Sequence, residues 1–441
     1  MSLDEAYTSL VDVFGHENVL RRKEEIQPSS LNIQSGAEQK PAFVLKPVST
    51  ERLSQLFPIA QKYKLPVTPR GSGFDLAKGS TSSNGILVDL ASLNQILEID
   101  EENYTFRVQS GTDFESITKA LTPIGLCLGL EPVMSPKATI GGFLASHGIG
   151  YGSMQRGSIS NLIRDLEVAL SDGSKLRTGF KSLSPGGTGY DLTHLLVGSE
   201  GLLGIITEAT LDIFPKSEIF ANIAFIFSDI DVGTRILKEI SKSASSLSSM
   251  FIMDGSFTET LKTCSIKVPP GDFIGVIRLE GTKEAIDSEA KFTKTICESS
   301  LDPQLGDEIW NSRFLYPLIE GMEKPVSVDD YFLPTDKNVE AYHILKDQAT
   351  KHGVKSAFYS LQTSLDSNLV VFVLASDDLN KADMANRELE DAIISLGGRP
   401  CTAGSRRVEA MKKASPNSLD LLRKAKKVFD EANLFSPERL I

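Results

Sequence analysis

Pro69-Arg70-Gly71-Ser72-Gly73-Phe74-Asp75, Ala138-Thr139-Ile140-Gly141-Gly142-Phe143-Leu144-Ala145-Ser146-His147-Gly148 and Val197-Gly198-Ser199-Glu200-Gly201-Leu202-Leu203-Gly204-Ile205-Ile206-Thr207 are three glycine-bearing turns, each set against a β-like run. Backbone that must touch the phosphates of a large ligand has to shed its side chains, and glycine permits that approach. One such turn means little. Three of them, separated by hydrophobic strands, point to a dinucleotide lying along a groove. None is a standard phosphate loop: Leu76 stands where G-x-G-x-x-G needs its closing glycine, and no Gly-Lys-Ser/Thr follows.

Outward from the turns the pattern alternates. It predicts a strand over 42–45, a helix through Leu53, Leu56, Phe57 and Ala60, a strand over 85–90, and a hairpin from 96–99 to 104–108. Thr112-Asp113-Phe114-Glu115 reads as a capping box opening a helix. Residues 166–170 and 175–177 form a strand pair around Asp172-Gly173. After Pro215 the glycine turns stop. Strands are expected at 220–227, 273–279 and 368–375, with helices over 232–247, 284–298 and 379–396. Residues 302–336, which hold Trp310, look less regular, like a loop over a site. The fold class is therefore α+β. A polar lead-in (1–39) precedes a cofactor-binding unit of two facing subdomains (40–215). An antiparallel-sheet-and-helix substrate cap (216–395) and a closing segment packing back on the front half (396–441) follow.

Composition narrows the function. A chain of 441 residues is long enough for two domains. Its net charge of -12 argues against nucleic acid, which demands a basic face. Lys424-Ala425-Lys426-Lys427 is read as a solvated helix face rather than a membrane patch. Cys127, Cys264, Cys297 and Cys401 are scattered without a C-x-x-C pair, so neither a zinc site nor an iron–sulfur ligand set is expected. No window reaches the roughly 20 apolar residues of a membrane span. The expectation is a cytoplasmic protein, peripheral at the membrane only through a partner. The oligomeric state is left open.

The order Pro69-Arg70-Gly71-x-Gly73, Ala138-Thr139-Ile140-Gly141-Gly142, Gly189-Tyr190-Asp191-Leu192 and Val197-Gly198-Ser199-Glu200-Gly201-x-x-Gly204-Ile205-Ile206-Thr207 resembles the PCMH-type flavoenzymes, the vanillyl-alcohol oxidase and p-cresol methylhydroxylase superfamily. It is most like the branch of D-lactate dehydrogenases and the FAD subunit of glycolate oxidase. Lys427 to Glu438 resembles that family's closing stretch. The resemblance implies FAD. The turn Arg70, Gly71, Ser72, Gly73, Phe74, Asp75 would hold its pyrophosphate on backbone N–H groups. Thr139, Ile140, Gly141 and Gly142 would flank the flavin and phosphates, with Ser146 and Gly148 in the same loop. Gly201, Gly204, Ile205 and Ile206 would lie along the ribityl and adenosine side. Glu200 is either a cofactor contact or a turn-fixing carboxylate; His147 either touches cofactor or substrate or has a structural hydrogen bond. Some members attach FAD through a histidine after the first turn; Phe74 stands there, so the FAD is expected to be non-covalent.

The resemblance also marks a departure. Hydroxy-acid oxidases of the family carry His-x-Gly-Asp-Gly-Asn-x-His and Gly-Glu-His-Gly in the second domain, supplying metal ligands and a base. Here the corresponding runs, 360–368 and 397–407, hold no histidine, and no metal site is expected. The remaining candidates for catalysis are Arg313, as a carboxylate clamp or a surface ion pair, and the phenols of Tyr316 and Tyr331. Arg406 and Arg407 offer either an anion site or solvated charge. The implied activity is oxidation of a small 2-hydroxy acid, with electrons leaving to an iron–sulfur subunit, a quinone or a diffusible acceptor. Two alternatives stand beside it: a non-catalytic or electron-relaying subunit of a glycolate-oxidase-like complex, and an alkyl-dihydroxyacetonephosphate-synthase-like flavoenzyme.

Overall fold

The computed structural model describes residues 2–21, 41–74, 76, 84–179, 189–269, 271–297, 299–322, 326–402, 408–415, 417–437 and 439. Asp75, Arg406 and Arg407 lie outside these residues. The front half is two small sheets. In the first, strands Phe43–Leu45 and Val67–Arg70 both run parallel to Ile86–Asp89, and Val19–Leu20 pairs antiparallel at the edge. Helix Leu56–Tyr63 makes the crossover and buries Leu56, Phe57 and Ala60. The stretch expected as a lead-in contributes to this core. Helix Leu3–Phe14, opened by a Ser2–Glu5 capping box, buries Ala6, Leu10 and Phe14 at i, i+4 and i+8. Side chains the size of Leu10 and Phe14 contribute about 1.5–3 kcal/mol each when fully buried.

The second sheet is antiparallel, in the order 175–177, 163–169, 205–212, 105–109, 96–100. The expected hairpins are both present. Helix Phe114–Leu121 begins one residue later than the Thr112 capping box implied: Asp113 is the cap, its carboxylate accepting from Ser116 N at 2.7 Å. A carboxylate beside the first free N–H groups outcompetes the hydroxyl before it.

The cap is a seven-stranded antiparallel sheet in the order 219–227, 273–281, 247–254, 355–362, 367–375, 326–334, 399–400. Helices 230–243, 283–296, 338–352 and 379–395 cover one face. The other face packs on helices 255–263, 303–311 and 315–320 and on Val133 and Tyr151 of the front half. Two readings are corrected. The helix expected to reach Leu247 stops at Ser243, and Leu247–Asp254 is a central strand buried at every position. The described residues of 302–336 hold regular elements: helix Pro303–Asn311, helix Leu315–Glu320 and strand Val326–Pro334. A strand buried on both faces loses the apolar–polar alternation that announces it.

The closing segment returns to the front sheet. Phe435 bridges Val67 in parallel, with Val67 N donating to Leu434 O at 2.9 Å and Ser436 N to Val67 O at 3.1 Å. Helix Leu419–Phe429 leads into it. Lys426 Nζ donates to Asp430 Oδ2 at 2.9 Å and to the carbonyls of Leu202 and Phe435, while Asp430 also accepts from Leu434 N and Phe435 N. Both groups are buried. Removing one partner of such a pair strands the other charge, at about 3–5 kcal/mol. Lys426→Met is therefore expected to lower the unfolding free energy measured in urea by that order and to open the closing segment to protease; unchanged values for both would refute this anchoring role.

Candidate functional site

The three glycine turns meet in one cleft between the two front sheets and the cap, with about 1330 Å³ of empty space, open mouth included. Its walls hold Arg70, Gly71, Ser72, Gly73 and Phe74 from the first turn. The second turn supplies Thr139, Gly141, Gly142, Ser146, His147 and Gly148, and the third Glu200, Gly201, Gly204 and Ile206. Ile140 and Ile205 are fully buried and turn into the cores behind the cleft. Side chains on consecutive residues point apart, so a run can line a cleft with only part of itself.

Glycine is required where the turns touch. A methyl group on Gly71 would run into Thr139 Oγ1, and one on Gly201 (φ +73°) into the Pro69 ring. Thr139 caps the helix Ile140–Ala145, accepting from Gly142 N at 3.4 Å, and its own N–H donates to Ser72 Oγ at 3.2 Å, tying the first two turns together. Arg70 is buried, and its Nη2 has no hydrogen-bond partner among the described residues. Burial lowers its pKa, against the opposing field of Asp89. A buried guanidinium nitrogen with no hydrogen-bond partner at the wall of a cleft fits an anionic ligand. Phe143, Leu90, Val133, Met134, Phe332 and Leu369 supply apolar surface for ring systems. The lining thus suits a ligand with a charged bridge and flat apolar ends.

Glu200 (φ +50°) lines the cleft, and its carboxylate pairs with Arg439 Nη2 while its carbonyl accepts from Arg439 Nη1 at 3.2 Å. His147 (φ +54°) faces Ser160 Oγ at 3.2 Å from Nε2 and 3.3 Å from Nδ1. Burial depresses its pKa below 6.5, with the Arg399 and His194 charges adding to the effect.

The three catalytic candidates are not brought to the cleft. Arg313 is buried at the domain junction. Its guanidinium pairs with Glu131, donates to Trp310 O at 2.9 Å, and lies over the rings of Trp310, Phe314 and Tyr151 at 4.3, 4.4 and 4.8 Å. Tyr316 packs its ring edge-on to Phe74 at 5.4 Å, but its hydroxyl donates to Glu320 at 2.5 Å, and burial followed by that carboxylate pushes the phenol up to about 12. Tyr331 is fully buried in the helix-covered face of the cap sheet, its hydroxyl 3.5 Å from Glu390 Oε2. Its neighbours Asp330 and Phe332 line the cleft instead, as strand alternation requires. Leu369, Cys401, Thr402 and Arg439 also line it without having been singled out. Leu369 follows from pairing with Phe332; Arg439 carries no local signal, because only the return of the closing segment brings it there. Among the described residues no group of three or more His, Cys, Asp or Glu side chains could hold a metal.

A two-sheet front half whose bare turns converge beneath an antiparallel cap is the architecture of a flavin-dependent oxidoreductase. The chain matches the family profile of the FAD binding domain over residues 41–179 and that of the FAD linked oxidases, C-terminal domain, over 216–440; it belongs to the FAD-linked oxidases, and its cofactor is FAD. It is 26% identical over 424 residues to glycolate oxidase subunit GlcD of Bacillus subtilis, covering 91% of this chain and 89% of that one. To D-lactate dehydrogenase of Archaeoglobus fulgidus it is 26% identical over 414 residues, 90% and 91% of the two chains. The fold superposes on p-cresol methylhydroxylase with substrate bound at a TM-score of 0.84 and 17% identity, covering 99% of this chain and 96% of the other.

Two outcomes are expected. Arg70→Met should weaken FAD binding by roughly 10- to 150-fold, the worth of about 1.5–3 kcal/mol for a charged hydrogen bond, while leaving the FAD-free protein no less stable. Fluorescence titration of stripped protein reads the first, thermal melting the second; unchanged FAD affinity would show that Arg70 does not hold the cofactor. For His147 the unfolded chain takes up its proton first as pH falls. Stability is therefore lost as pH drops through about 6.5 toward the lower folded value. His147→Asn, which tolerates the positive φ, should flatten the stability profile below about pH 6.5; an unaltered acid slope would count against this.

Proposed function

We propose that this FAD-linked oxidoreductase oxidises a small 2-hydroxy acid of the D-lactate or glycolate kind, with FAD held non-covalently. The convergence of the three turns, the unsatisfied Arg70 Nη2 and the cap wall on one cleft carries the reading. The names of the two relatives supply the substrate class. FAD, when bound, accepts two electrons as hydride. Arg70 and the backbone of 71–73 and 139–142 would hold its diphosphate, and Gly201, Gly204 and Ile206 would leave room for the ribityl and adenosine portions. The cap excludes water from the ring end and holds the substrate against it. Phe74 offers no nucleophile for a covalent bond to the cofactor. Electrons then leave to an iron–sulfur subunit, a quinone or a soluble acceptor, in the cytoplasm. No helix among the described residues is long and apolar enough to cross a membrane.

One observation favours a second reading, a relay or non-catalytic subunit of a glycolate-oxidase-like complex: residues 360–368 and 397–407 carry no histidine. Anaerobic addition of D-lactate or glycolate to purified protein separates the two. The first reading expects a yellow protein whose flavin dissociates on denaturation and whose visible band bleaches with one of these acids. A yellow protein that no 2-hydroxy acid bleaches supports the relay subunit.

A further inference from the structure

The short strand Arg399–Pro400 closes the cap sheet, and its pairing fixes which of its side chains turns toward the cleft. Pro400 lies opposite the buried Tyr331 and is itself buried; Arg399 lies opposite Phe332, so those two share a face. That face is the cleft side, because Phe332 and Cys401 both line the cleft. The Arg399 guanidinium sits 5.2 Å from the centroid of the Phe332 ring. Resting on a ring steadies a long side chain without neutralising it. Among the described residues Arg399 has no hydrogen bond or ion pair, and neither wall carboxylate, Glu200 or Asp330, is paired with it.

On the front half, His147 of the second turn lines the same cleft. Its ring is held beside Gly198, where an added methyl group would come within 3.2 Å of His147 Cβ. Both ring nitrogens face one hydroxyl, Ser160 Oγ, at 3.2 and 3.3 Å. One hydroxyl serves one nitrogen at a time, which leaves the other for a ligand. The charged and titratable groups that bear on this ring are Arg399 from the cap and His194 from helix Leu192–Leu196. His194 is itself engaged by Asp191 Oδ2 at 2.7 Å and by Ser160 O at 2.9 Å. The field of Arg399 therefore reaches the second turn, and the cap and the front half each bring a nitrogen base or cation to one stretch of wall. An anion is the ligand that such a pair lacks.

Resting on the hydroxy-acid reading for the identity of the ligand, we propose that Arg399 and His147 form a carboxylate-binding site that bridges cap and front half and takes the carboxylate of the 2-hydroxy acid. The guanidinium donates two parallel N–H groups to the carboxylate oxygens, and the imidazole donates a third. An anion set between them offsets the Arg399 charge at the ring, so binding draws a proton onto His147. The site is one of recognition: it distinguishes an acid from an uncharged alcohol of the same size. Arg70 stands apart from it, in the first turn.

The test uses the FAD-loaded protein and oxalate, a non-reacting dicarboxylate, with calorimetry as the readout. Arg399→Gln should weaken oxalate at least about tenfold while FAD affinity and melting temperature hold. Arg399→Lys, which keeps the charge and loses the fork, should recover part of the affinity. At about pH 6.5 the wild type should take up a proton with oxalate, seen as a heat that varies with the ionisation enthalpy of the buffer; His147→Asn should bind without that uptake. In anaerobic bleaching by D-lactate or glycolate, Arg399→Gln should raise KM more than it lowers the limiting rate. Equal oxalate affinity in wild type and Arg399→Gln, or proton uptake that persists in His147→Asn, overturns the proposal and leaves the hydroxy-acid reading standing. A loss of FAD affinity in Arg399→Gln overturns it too, since the anion that Arg399 meets is then the cofactor's. A wild type that binds oxalate through Arg399 yet is bleached by no 2-hydroxy acid keeps the site and removes the reading.

Discussion

The cleft exists only because the cap stays seated on the front half, and the seat is built around Arg313. A guanidinium is planar and weakly hydrated, so it can be buried between rings where an ammonium would be costly. Here Trp310, Phe314 and Tyr151 surround it, Glu131 balances its charge, and Tyr151 Oη donates to the Arg313 carbonyl at 2.9 Å while sharing a 2.9 Å contact with Tyr359 Oη. Each ring contact is worth about 0.5–2 kcal/mol. The next residues carry the constraint into the cleft: Leu315 N donates to Val133 O and Tyr316 N to Met134 O, both at 3.0 Å, and Val133 and Met134 are cleft wall. The shape of the wall therefore follows from the seating of the cap.

The two halves differed in how much their sequence disclosed. The front half announces itself because bare backbone needs glycine: Gly71 and Gly201 are visible in a sequence for the same reason that they are sterically necessary in the fold. The cap has no such marker. Its central strands, Leu247–Asp254 above all, are apolar on both faces, so alternation could not reveal which side of Val326–Pro334 meets the cleft. Tyr331 drew attention for its phenol, while the parity of one residue put Asp330 in the wall instead. Arg313 was visible as chemistry and misplaced as geometry: a charge that pairs with Glu131, 182 positions earlier, leaves no local trace.

Glycine turns and cap also divide the tasks of the cleft. The front half lines the cleft with bare backbone and the Arg70 guanidinium, whereas the cap lines it with the side chains of Asp330, Phe332, Leu369 and Cys401. Substrate choice can drift within such a fold while the cofactor seat stays fixed.

The pairing of Phe435 with Val67 joins positions more than three hundred and sixty residues apart, and Arg439 reaches the cleft only through that contact. During synthesis on the ribosome, the first sheet emerges long before its parallel neighbour exists. The cleft wall is thus left unfinished until Phe435 and Arg439 have been made, so the turns that line the cleft wait, after their own synthesis, on a partner more than three hundred residues downstream.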